Sequence, residues 1–321
     1  MASDATIRLN PFVFRALIGA AAWVGCYVWF QPPWELAMLW LGALVHVPLA
    51  VGLIEPEPGG SRPAQLLKLA ARLQLPAALC LVASFQPEVR GIWLALPWIA
   101  VTGLCGVAGA WRMVSRGVRR AGALADWGLV LFAISGAWAG AAAMEWAVFG
   151  FPLLIGLLAS VHQLYAGLVL QVVACRIVAW RPGRLPVIAA ICVSVGNPLV
   201  AMGITLSHVG APVPLEFGFV LFYACGVIVL GWCQLFLALW PKSGLPMAAR
   251  VGLILSDLSL GTAMTLAIIF AWGTLRGAPT LTIPEMIPWH GTLNAVGFSL
   301  CALVGWNITA RSASAKRGPT C

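Results

Sequence analysis

The chain has 321 residues, of which 61% are hydrophobic and 9% charged, with a formal net charge of +9. A soluble domain carries roughly 25% charged residues, so a water-soluble core is excluded, and a mean hydropathy of +0.94 places the chain among all-α, polytopic membrane bundles.

A bilayer-crossing helix needs about 20 apolar residues. Ten such stretches are predicted, at residues 12–30, 34–54, 65–85, 92–111, 121–143, 150–175, 185–207, 216–240, 249–272 and 286–308. The first, preceded by Arg8 and carrying Arg15, imitates a secretory signal. Gln31, Pro32 and Pro33 turn straight into the next span, with no small-x-small cleavage site in a suitable place, so an uncleaved first helix is expected. The longest polar gap, Glu55 to Arg62, is a short Pro/Gly loop, and nothing else interrupts a single integral membrane domain over 1–321.

The cations set the orientation. One alternate set of gaps holds Arg8, Arg15, Arg62, Lys68, Arg72, Arg112, Arg116, Arg119, Arg120, Arg176, Arg181, Arg184, Lys242, Arg250, Arg311, Lys316 and Arg317; the other holds Arg90 and Arg276. Both termini are therefore expected in the cytoplasm, in a multi-pass protein of the plasma membrane. Anionic inner-leaflet lipid accounts for the positive charge, each juxtamembrane cation contributing on the order of 1 kcal/mol. No nucleic-acid partner is needed.

Most of the remaining composition reads as architecture. The nine cysteines, Cys321 and eight within spans, form no CxxC pair and serve as small apolar filler. Trp23, Trp29, Trp34, Trp93, Trp111, Trp146, Trp180, Trp240, Trp272, Trp289 and Trp306 fall toward span ends, where an amphipathic ring suits the headgroup layer. The run from Gly136 through Gly140 to Ala143 lets helices approach closely.

Function is sought where polarity is expensive, because an ionisable group within the bilayer costs at least a few kcal/mol and normally faces a cavity or a partner. The candidates are His46, Asp126, Glu145, His162, Gln163, Asn197, His208, Glu216, Gln234, Asp257, His290 and Asn294. His46 is isolated, and Asp126 sits at a helix start where a carboxylate complements the dipole. Glu145 and Glu216 are possible acids, although both lie near boundaries where solvation is the simpler reading. His162 and Tyr165 share a face at i,i+3 with Gln163 beside them, either as a site or as a buried hydrogen-bonded group.

Asn197 precedes Pro198 in the middle of the seventh span, where proline is expected to kink the helix and free backbone groups beside a pocket. An ordinary kink satisfied by its asparagine is the competing explanation. Tyr223 is a further substrate-binding candidate in the eighth span. Asp257, flanked by Ser256, Ser259 and Thr262, lies roughly 10 Å inside its helix start at Arg250 with no cation at matching depth, which makes it a candidate proton donor; a structural ion pair is the alternative. In the last span His290, Asn294 and Phe298 recur every four residues on one helix face. An acid/base histidine assisted by an amide is one reading, and a satisfied interfacial histidine with Asn294 as interhelical glue is the other.

Metal, diphosphate, nucleophile-elbow and phosphate-loop signatures do not occur, and no cofactor is implied. His290, Gly291, Asn294, Ala295, Gly297 and Phe298, closing a ten-span hydrophobic chain, resemble the YndJ-like bacterial membrane proteins. The resemblance implies fold and membrane location, and that His290 and Asn294 belong to the shared site; it supplies no reaction. Two functions follow. One is an intramembrane enzyme using acid/base catalysis on a lipophilic small molecule, such as epoxide opening or cyclisation or isomerisation of an isoprenoid or polyketide, between aromatic walls such as Trp138, Phe217, Phe222 and Phe298. The other is a secondary transporter of the drug/metabolite exporter type built on a five-plus-five inverted repeat. The lack of a broken or polar helix before residue 160 to match those after it favours the enzyme.

Overall fold

The computed structural model describes residues 10–56, 60–89 and 91–317, the side chains of 314–317 excepted. Arg8, Arg90, Cys321, the side chains of Lys316 and Arg317, and residues 57–59 of the first polar loop lie outside the described residues. Ten helices are long and apolar enough to cross a membrane: α1 (Pro11–Phe30), α2 (Trp34–Val51), α3 (Arg62–Ser84), α4 (Ile92–Arg116), α5 (Gly122–Ala143), α6 (Leu153–Trp180), α7 (Arg184–His208), α8 (Val213–Leu239), α9 (Met247–Leu275) and α10 (Ile283–Ala313). Each corresponds to a stretch read from hydropathy, with ends shifted by a few residues. The protein is a polytopic helical bundle.

Burial sorts the helices. α2 has 83% of its apolar window inside the protein, whereas α1 has 11%, so α1 lies against lipid and α2 runs through the centre. α6 and α10 pack on α2 and on each other, and the other helices surround this trio. The α4–α5 contact is close because Gly136 places bare backbone over Thr102, where any Cβ would overlap the threonine hydroxyl. Gly136 thus does what its small-residue run predicts.

The cation-rich end is fastened by an ion cluster. Asp126, fully buried, accepts from Arg112 Nε at 2.5 Å and from Arg120, while Arg112 also donates to the Glu55 carbonyl at 3.1 Å. Asp126 is therefore the hub joining α4, α5 and the loop after α2, a larger role than dipole complementarity. The eight described cysteines are free. Trp29, Trp93, Trp146 and Trp289 are largely exposed, as anchors require, but Trp306 is fully buried and donates Nε1 to Gln234 at 2.9 Å. Trp306 is a core residue, not an interfacial anchor.

α7 is continuous through Pro198 to His208. Widened, π-helical turns occur at Gly42–His46 in α2, two residues before Pro48, at Gln163–Val169 in α6, and at Ile287–Gly291, which contains Pro288, and Leu293–Leu300 in α10. Such turns often accompany functional sites because they displace side chains and backbone groups from regular positions. The α2 segment also corrects the expectation that the first half holds no distorted polar helix. These segments nevertheless recur every fourth span, a spacing that a five-plus-five repeat does not produce.

A candidate functional chamber between α2, α5 and α6 to α10

The widened segments meet at His46. Its ring is fully buried, with Nε2 2.9 Å from the Ala295 carbonyl of α10 and Nδ1 3.2 Å from the Leu41 carbonyl of its own helix. The ring also stands edge-on to Tyr165 of α6, 5.1 Å between centroids, and the Tyr165 hydroxyl donates to the Met38 carbonyl at 2.8 Å. Trp34 Nε1 adds a 2.8 Å bond to Thr292 Oγ1. One imidazole and one phenol therefore hold the three central helices in register. His46 had no sequence partner, and only the packing of α2 against α6 and α10 reveals its role.

Beside this junction lies a chamber of about 460 Å³. α6 contributes His162, Gln163 and Tyr165; α10 contributes His290, Gly291, Asn294 and Phe298; α8 contributes Glu216 and Tyr223. Met38, Trp138, Leu260 and Met264 supply apolar wall from α2, α5 and α9. Gly291 lets Met38 lie directly over the α10 backbone, since a Cβ there would come within 2.7 Å of the methionine methyl. The lining runs from helix ends opposite the cation-rich end, at Thr205, Glu216, Thr274 and Ile283, to mid-helix residues Val227, Leu260 and Phe298.

Two imidazoles form the chemical centre. His290 Nδ1 is 2.9 Å from the Ala263 carbonyl of α9. A carbonyl only accepts, so this bond puts the proton on Nδ1 and leaves Nε2 with a lone pair. His162 lines the same chamber as His290, and its Nε2 has no hydrogen-bond partner in the protein. The Gln163 side-chain oxygen is likewise buried without a partner. Asn294 donates to the backbone carbonyl of His290 at 2.8 Å, within one widened helix. It satisfies its own turn and does not bridge helices; the ring is oriented by α9.

The structure thus brings together His162, Gln163, Tyr165, Glu216, Tyr223, His290, Asn294 and Phe298. It does not bring Asp257 among them. Asp257 accepts from Gln234 Nε2 at 2.9 Å in a separate buried cluster with Ser256, where Trp306 fixes the other end of the Gln234 amide. Four residues separate His290 from Asn294 on one helix, but Asp257 and the chamber lie at different levels of α9, where the lining starts at Leu260. Asn197 is fully buried outside the lining. Glu145 lies in the exposed loop after α5 with a φ of 55°, outside the chamber. Of the proposed aromatic walls, Trp138 and Phe298 line the space, Phe217 packs on Trp272 at 5.7 Å, and Phe222 is 42% exposed on the outer surface. Among the described residues no three His, Cys, Asp or Glu side chains converge as metal ligands.

The YndJ-like protein family matches residues 37–298. The chain belongs to the YndJ-like family. That match includes every lining residue from Met38 to Phe298, so the chamber lies wholly within the YndJ-like region. A relative, the uncharacterized membrane protein YndJ of Bacillus subtilis (strain 168), is 28% identical over 239 residues, which make up 72% of this chain and 41% of the relative. The chain therefore spans less than half the length of that YndJ protein. No solved structure matches it.

Proposed function

We propose that this protein is an intramembrane enzyme that moves a proton on a lipophilic small molecule held in the chamber. The observation that carries the reading is the pair His162 and His290 in one largely apolar space. His290, held as the Nδ1–H form by Ala263, offers Nε2 as a base. His290 takes a proton from a substrate carbon and, as the imidazolium, returns it to another atom of the same molecule, so an isomerisation or ring opening leaves both rings as they began. His162, with its proton on Nε2, donates a hydrogen bond to the substrate oxygen on which negative charge develops. Tyr223, Gln163 and the apolar walls orient the substrate and exclude water. Epoxides and polyenes of isoprenoid or polyketide type fit this chemistry. On this reading the protein resides in a bacterial inner membrane with its cation-rich end in the cytoplasm.

A second reading is supported by the widened turns of α2, α6 and α10 around a space within the bilayer, a feature of transporter binding sites. One experiment separates the two. Purified protein in lipid nanodiscs is incubated with lipophilic epoxides and polyenes, and products are followed by chromatography and mass spectrometry. Turnover that is lost in His290→Ala supports the enzyme; unchanged compounds together with their accumulation in proteoliposomes support the transporter.

A further inference from the structure

The mouth of the chamber carries a carboxylate. Glu216 sits half-buried in the first turn of α8 and lines the space. Among the described residues it makes no ion pair and no hydrogen bond. No Lys or Arg lines the chamber. Arg276, two residues beyond the lining residue Thr274, lies over the Trp272 ring, 5.9 Å from its centroid, and is not part of the lining.

A carboxylate beside an apolar space, with no cation in the lining, attracts one kind of molecule and repels another. An anionic headgroup, whether phosphate, diphosphate or carboxylate, would lose its hydration there and meet Glu216 without compensation. A protonated amine on an apolar body would gain an ion pair at the mouth and bury its body against Trp138, Met264 and Phe298. From Glu216 to Tyr223 the α8 axis rises roughly 10 Å, so an amine at the mouth leaves the rest of the molecule alongside the histidines.

We infer that the chamber selects lipophilic amines, and that Glu216 is the residue that recognises the ammonium group. The inference rests on the chamber being the ligand site proposed above but not on turnover. A free lipophilic amine is favoured over phosphatidylethanolamine, because the phosphate next to that lipid's ammonium would find no partner in the lining.

The test is isothermal titration of the full chain in nanodiscs of phosphatidylcholine and phosphatidylglycerol, with empty nanodiscs as the partition control. The ligands are a medium-chain alkylamine, the alcohol and the carboxylate of equal length. The amine is expected to bind about tenfold more tightly than the alcohol, about 1.4 kcal/mol, with the carboxylate weakest. Glu216→Gln is expected to bring the amine to the level of the alcohol and leave the alcohol unchanged, while phosphatidylethanolamine in the nanodisc leaves amine binding unaltered. Equal binding of amine and alcohol by the unmodified protein, an amine preference that survives Glu216→Gln, or competition by phosphatidylethanolamine would each overturn the inference while the proton-transfer reading stands. Failure of all three ligands to bind above the empty-nanodisc control would overturn both.

Discussion

Replacing His290 with alanine separates chemistry from architecture. The imidazole makes one protein hydrogen bond, to the Ala263 carbonyl at 2.9 Å, and faces an existing chamber. Its removal therefore costs about 1 kcal/mol for that bond and creates no new sealed void. The Asn294 bond to the residue 290 carbonyl survives, because it is made to backbone. For a chain of this size about 1 kcal/mol corresponds to a fall of roughly 2 °C in unfolding temperature. An acid/base group contributes about 10²- to 10⁴-fold to turnover, a barrier increase of about 3 to 5.5 kcal/mol. The assay pairs product formation from a lipophilic epoxide or polyene with thermal unfolding followed by tryptophan fluorescence. His162→Ala is expected to give a similar loss, and the double variant to be little worse than either single one, because the two rings act as a unit. Turnover within threefold of the unmodified protein in His290→Ala would refute the reasoning, as would fully additive losses in the double variant.

Asp257→Asn retains an acceptor for Gln234 and lies outside the chamber, so turnover is expected to stay within about twofold; a loss as large as that of His290→Ala in the same assay would place Asp257 in the reaction. Asp126→Ala removes the carboxylate that binds Arg112 and Arg120, and denaturant unfolding in micelles is expected to register a loss of about 3 to 5 kcal/mol. Gly136→Leu drives a side chain into Thr102 and is expected to cut the yield of folded monomer by size-exclusion chromatography, whereas leucine at Gly103, where a Cβ meets nothing within 4 Å, is expected to be tolerated.

Span number and span ends were legible in the sequence because bilayer thickness imposes a length on each apolar run. The His290, Asn294 and Phe298 face was legible for a related reason: a four-residue recurrence survives in a helix whether its turns are regular or widened. The partners were not. Nothing local to residue 290 reveals that Ala263 holds its ring, and nothing near His46 reveals that its ring reaches Ala295. These are contacts between helices distant in sequence, and an apolar helix with few polar landmarks does not disclose which face meets which neighbour. At Asp257, position along a helix does not give the side on which a carboxyl falls, and it is Gln234 that occupies that side. Prolines were ambiguous landmarks, because α7 stays continuous through Pro198 whereas widened turns lie beside Pro48 in α2 and contain Pro288 in α10.

The central claim is that His162 and His290 face one shared space inside the bundle. Cysteines placed at both positions, in a chain otherwise cleared of cysteine, can be treated with a short bifunctional thiosulfonate in nanodiscs and weighed intact. The account predicts that one reagent molecule bridges the pair and that bound ligand slows the reaction. Two reagent molecules per chain, one on each cysteine and neither bridging, would contradict it.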